Sequence, residues 1–215
     1  WTGSWYDYDG ITQDFYYYIS NTDMESNRSY FSGDINYMKK LKKAGHELQV
    51  FGSFAGDFDN EENYFNETES DYLRNPVGGI INEHRTIESG NGNTITAKAD
   101  YVLPLFEKGK FETGYQLKIS TLNNDYRYQT YVSDEWTDDP AQINPYVYST
   151  NIQSGYAIFA NYWKKLGYQV GLRTEYTDRL FHQTTTDQKW AYNKFDFFPS
   201  VHISYQLPAE MQLLA

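Results

Sequence analysis

A chain of 215 residues can hold one domain with a sizeable core and does not require two. Its formal charge of −11 argues against a nucleic-acid surface, since eight of only 18 Lys and Arg sit in three short turns; the lack of cysteine excludes disulfide frameworks and thiolate metal sites. With a mean hydropathy of −0.75 and no apolar run near ~18 residues, a membrane-spanning helix is excluded too, whereas 19% aromatic residues suit strands and interfaces.

In chain order, Asp14 to Ser20 is a first candidate strand, and Phe31, Ile35 and Tyr37 mark the next. The basic turn Lys39-Lys40-Leu41-Lys42-Lys43-Ala44-Gly45 follows, then a strand marked by Leu48, Val50, Phe54 and Phe58. A long acidic connection over 59–92 leads to Ile95, Ala97, Ala99, Tyr101 and Leu103, which alternate with Thr94, Thr96, Lys98 and Asp100. That is period two, hence strand. The turn Leu105-Phe106-Glu107-Lys108-Gly109-Lys110 joins it to Phe111, Tyr115, Leu117 and Ile119.

A second polar connection spans 123–150. Segment 152–163 carries apolar residues on both faces, Tyr156, Ile158, Ala160 and Tyr162 against Ala157, Phe159 and Trp163, and its orientation stays open. After the turn Lys164-Lys165-Leu166-Gly167, Tyr168, Val170, Leu172 and Tyr176 alternate with Gln169, Arg173 and Glu175. A third connection over 180–194 precedes the clearest strand, Phe195 to Leu207, with Phe195, Phe197, Pro199, Val201, Ile203, Tyr205 and Leu207 on one face. Pro199 lacks a backbone donor, which is tolerable near a strand's loop end. A last strand begins at Met211.

Short turns therefore alternate with long connections, and aromatics such as Tyr37, Tyr101, Phe111, Trp163, Tyr168 and Tyr205 bracket the short ones. This predicts an all-β fold: an antiparallel up-and-down transmembrane β-barrel segment of roughly eight strands, with short periplasmic turns and long extracellular loops. Rings with a polar edge sit at headgroup level, so an interfacial girdle explains their placement. A secreted, aromatic-rich β-sandwich that binds carbohydrate would also alternate, but it has no reason to place its aromatics at one end.

Residues 154–177 combine a Tyr/Ala-rich strand, Ser154-Gly155-Tyr156-Ala157-Ile158-Phe159-Ala160, a Lys164-Lys165-Leu166-Gly167 turn and the strand Gly171-Leu172-Arg173-Thr174-Glu175-Tyr176-Thr177. Together with Phe197-Phe198-Pro199-Ser200 and Ser204-Tyr205-Gln206-Leu207, this stretch resembles the barrel of TonB-dependent-receptor-like outer-membrane proteins. The resemblance covers about 150–215 closely and the rest in architecture only. It implies location in the cell outer membrane, contact with outer-membrane lipid, and import of a nutrient such as a metal chelate or glycan. It also implies a longer parent chain whose plug domain and energy-coupling box engage TonB. Residues 1–215 then form part of one barrel domain, incomplete at both ends; a small stand-alone eight-stranded barrel is the other reading that length allows.

Arg173 and Glu175 share the face opposite Val170 and Leu172, so they are expected to face the lumen, as a charge ladder or as contacts to plug or cargo. Tyr126, Tyr128, Tyr131 and Trp136 are candidate extracellular ligand contacts, or else the outer part of a strand that overshoots the membrane. The acidic run Asp134, Glu135, Asp138 and Asp139 lacks the spacing and glycine of a calcium loop and reads as solvated. The four histidines are scattered without paired metal spacing, and no nucleophile elbow or phosphate loop occurs. No catalytic residue, cofactor site or metal site is expected, and the chain is not expected to be an enzyme.

Overall fold

The computed structural model describes residues 2–9, 14–208 and 211–214. They form one antiparallel sheet of ten strands: β1 (Thr2–Asp9), β2 (Asp14–Lys40), β3 (Glu47–Ser70), β4 (Pro76–Leu105), β5 (Gly109–Val132), β6 (Glu135–Asp138), β7 (Tyr146–Trp163), β8 (Leu166–Gln183), β9 (Gln188–Gln206) and β10 (Gln212–Leu214). Sequential strands pair, except β6 and β7, which each pair with β5 along the same edge, β6 above β7. The three basic turns shrink to 41–46, 106–108 and 164–165. No second sheet stands opposite the first among the described residues, so the sandwich expectation does not hold.

Register settles which residues share a face. Val50 pairs with Tyr37 and Ala99, Ala99 with Tyr115, Phe111 with Phe159, Phe159 with Val170, and Val170 with Val201. One face of the sheet is therefore a continuous apolar belt on seven strands, running over 31–37, 48–58, 95–103, 111–119, 168–176 and 195–205 and through Ala157 and Phe159 of β7. Each stretch is close to the ~9–11 residues that cross a bilayer as a tilted strand. Segment 152–163, open in sequence, is fixed by the same pairing: Ala157 and Phe159 lie in the belt, while Tyr156 and Ile158 lie on the inner face.

The belt is exposed. Ile35 is 73% exposed, Val201 63% and Phe197 62%, and among the described residues no large apolar side chain is buried. A water-soluble fold cannot leave such a belt uncovered, because burying apolar area is its main stabilising term. Lipid supplies the cover here. Tyr37, Tyr101, Phe111, Tyr168 and Tyr205 ring the belt's lower rim beside the short turns, and the His46 imidazole lies 2.7 Å from the Tyr101 hydroxyl.

The connections expected over 59–92, 123–150 and 180–194 are mostly strand. Non-strand residues reduce to 71–75, 133–134, 139–145 and 184–187, and β2 to β5 run 24–30 residues, far beyond what the bilayer requires. Above the membrane both faces of a hairpin meet water. The apolar alternation disappears there while the backbone ladder continues, so polar sequence conceals strand. Bulges at Glu67/Thr68 and Thr68/Ser70 irregularise the β3–β4 tip, where the Asp71 carboxylate accepts from the Leu73 and Asn75 amides at 2.8 Å.

Candidate functional site

The inner face, opposite the belt, carries the chemistry. At membrane level it bears four ion pairs spaced two residues apart: Lys98–Asp100 (2.8 Å), Lys110–Glu112 (2.7 Å), Arg173–Glu175 (2.8 Å) and Lys194–Asp196 (2.7 Å). Spacing of two keeps both partners on one face, and mutual neutralisation lets a polar wall stand beside lipid. The Ser154 hydroxyl joins the third pair, accepting from Arg173 at 3.1 Å and donating to Glu175 at 3.0 Å. Arg173 and Glu175 thus stand on the inner face, as part of a ladder of which the sequence analysis singled out one rung.

Above the membrane the inner face becomes aromatic. Phe65 of β3, His84 of β4 and Tyr128 of β5 stack with centroids 4.7 and 5.1 Å apart. Farther round the sheet, Tyr146 of β7 stacks on Phe181 of β8 at 5.1 Å, and Phe181 meets Trp190 of β9 at 5.6 Å. Backbone bonds hold this wall in place. The Asp139 and Asn144 amides donate to the Tyr128 and Tyr126 carbonyls, laying the segment between β6 and β7 along the edge of β5. The Thr184 amide donates to the Pro145 carbonyl at 3.0 Å and ties the β8–β9 tip to the start of β7. At that tip His182 and Lys189 hold the Asp187 carboxyl below its ordinary value.

The four aromatic residues singled out in sequence separate into two pairs. Tyr126 and Tyr128 lie on the inner face, opposite Glu88 and Thr86. Tyr131 and Trp136 are cross-strand partners on the outer face, where the Arg85 guanidinium lies 4.5 Å above the indole and bonds Gln129 and Glu62. Sequence reasoning missed Phe65, His84, Tyr146, Phe181 and Trp190. A signal existed for the last two: Phe181 and Trp190 flank Thr184-Thr185-Thr186-Asp187 symmetrically, as partners across a hairpin do.

Burial between Phe65 and Tyr128 pushes the His84 imidazole below its ordinary value, against the opposing pull of the Glu67 carboxylate, and His84 Nδ1 is buried without a hydrogen-bond partner among the described residues. Because the folded value is depressed, the unfolded chain takes up the proton first, so stability falls as pH drops through the unfolded value of about 6.5. Acidification from pH 7.5 to 5.5 should lower the amide protection factors at 63–67 and 82–86, measured against the slower intrinsic exchange at the lower pH, and His84→Gln should remove that loss of protection.

A family model described as "Outer membrane protein beta-barrel family" matches residues 39–215. The chain belongs to that family. Its place is the outer membrane, and the apolar belt is its lipid-facing surface. Among solved structures the chain is similar to the ferric citrate transporter FecA in the unliganded form, at 9% identity with a TM-score of 0.48, over 93% of this chain and 35% of that one. The chain thus spans about a third of that transporter's length. No curated protein matches it.

Proposed function

We propose that this family member forms part of the wall of a larger, TonB-dependent-receptor-like importer, and that its inner aromatic wall is the first surface a nutrient such as a glycan or metal chelate meets. The observation that carries this reading is the direction of the rings: Phe65, Tyr128, Tyr146, Phe181 and Trp190 turn inward above the membrane, toward the path of cargo, rather than out toward lipid headgroups. An inward wall of planar rings supplies contact area at low entropy cost.

Unpaired edges favour a larger barrel. Among the described residues β10 covers β9 only at 204–206 and β1 covers β2 only at 14–21, and most of both edges has no partner strand at membrane level. Each unsatisfied backbone group in hydrocarbon costs several kcal/mol, so further strands must complete the ladder. A plug domain and TonB would then act through other parts of the parent protein.

Uptake of labelled oligosaccharides and ferric chelates by cells producing the full-length protein tests this reading. Accumulation of one cargo class is expected to stop when the inner membrane is de-energised and to weaken in a Phe181→Ala/Trp190→Ala variant. Energy-independent permeation of all cargoes would instead identify a passive pore and overturn the reading.

A further inference from the structure

We infer that the cleft on the inner face of β7, β8 and β9, just above the membrane, binds a saccharide bearing a carboxylate, such as a uronic-acid unit; this rests on the import reading and narrows its cargo. The cleft has a volume of about 430 Å³, within the range of ligand pockets. Cross-strand pairing builds it: Tyr148 faces Phe181, Phe181 faces Trp190, and one step toward the membrane Arg179 faces Tyr192. Below them Glu175 faces Asp196 and forms the floor.

Each part matches a part of such a ligand. The C–H faces of a sugar ring are apolar and pack on planar rings, while its hydroxyl rim needs acceptors, which the Glu175 and Asp196 carboxylates supply. A flat aromatic acid would leave those carboxylates without donors. The charged groups of the cleft are not equivalent. Glu175 is paired with Arg173, and Asp196 with Lys194. The Arg179 guanidinium, exposed in the same cleft, makes no hydrogen bond or ion pair among the described residues. An uncommitted guanidinium presents a two-pronged donor fork that fits a carboxylate.

The surrounding field supports this assignment. The chain's negative charge is concentrated elsewhere on the inner face, as in Asp57, Asp59 and Glu61 of β3 and Glu88 of β4. On the inner face of β7 to β9, Arg173, Arg179 and Lys194 outnumber Glu175 and Asp196, and β7 adds no charge. An anionic sugar therefore finds its favourable position here, with a stacking surface already in place.

Calorimetric titration of the full-length protein in detergent micelles tests the inference, using tetragalacturonate and the neutral galactose tetramer. The acidic tetramer should bind about tenfold tighter at low salt, as one charge-assisted bidentate contact gives. Arg179→Gln should abolish that preference and leave the neutral ligand's affinity unchanged, whereas Trp190→Ala should weaken both; a heat-sensitive gel band confirms that each variant is folded. Equal affinity for the two tetramers, no binding of either, or an unaltered preference in Arg179→Gln would overturn it. Energised uptake of another cargo alongside such a result would leave the import reading intact. Tight, Arg179-dependent uronate binding without energised uptake would sustain the inference and remove the import reading.

Discussion

Leu172→Arg should destabilise the barrel by about 2–4 kcal/mol, the cost of an arginine on the lipid face near the bilayer midplane. Leu172 lies near the middle of the belt stretch of β8, between Ala157 and Pro199 on the neighbouring strands, and is 44% exposed. In a water-soluble sheet the same substitution at so exposed a site would fall within about 0.5 kcal/mol of neutral. The two environments thus give different answers from one residue. Urea unfolding of the full-length protein in lipid vesicles measures the difference, with Arg173→Gln one position away on the inner face as the comparison. The expected result is a large loss for the first variant and a small one for the second. A near-neutral Leu172→Arg would show that lipid does not cover the belt.

Gly114→Val should be the most damaging change on the inner face. Tyr156 reaches from β7 across Gly114 of β5 to Asp100 of β4, and its hydroxyl donates to Asp100 Oδ1 at 2.7 Å. A β-carbon at position 114 would lie 2.6 Å from Asp100 Oδ1 and would collide with the Tyr156 ring. The ring must swing away, and its bond to a charged acceptor goes with it. Overpacking and the lost bond together cost roughly 2–4 kcal/mol. Coupling can be isolated with the milder Gly114→Ala: in a Tyr156→Ala background the collision is gone, so the alanine should cost much less than in the native chain. Thermal loss of the heat-modifiable band reads both. Additive effects would mean that the ring is not held over Gly114.

The belt was legible in sequence because lipid imposes a requirement on every second residue. Ile95 to Leu103, Tyr168 to Tyr176 and Phe195 to Leu207 alternate as written, and all three basic turns stand where the Lys-rich segments put them. Above the membrane that requirement lapses. Asp59 to Glu69 and Arg85 to Thr94 pair in long ladders through their backbones, yet their side chains carry no apolar period, so they read as loop. Position 152–163 shows a second limit: with rings on both faces, only pairing of Phe159 to Phe111 and Val170 decides the orientation.

The candidate site was legible in part. Arg173 and Glu175 followed from counting by two, and the same count at Lys98/Asp100, Lys110/Glu112 and Lys194/Asp196 would have found the whole ladder. Tyr128 and Tyr131 are three apart, which places them on opposite faces of any unbroken strand; that spacing already separated the inner pair from the outer one. Phe65 and His84 could not be joined without register, since 18 residues and a turn lie between them.

The most direct test exploits the absence of cysteine from the chain. Single cysteines placed in turn at 168–176 of the full-length protein, in native outer-membrane vesicles, would be labelled with a water-soluble maleimide and with a lipid-phase probe. A strict alternation is expected: 168, 170, 172 and 176 open to the lipid probe and closed to the aqueous one, with 169, 173 and 175 reversed. Uniform aqueous labelling, or the opposite phase, would contradict it.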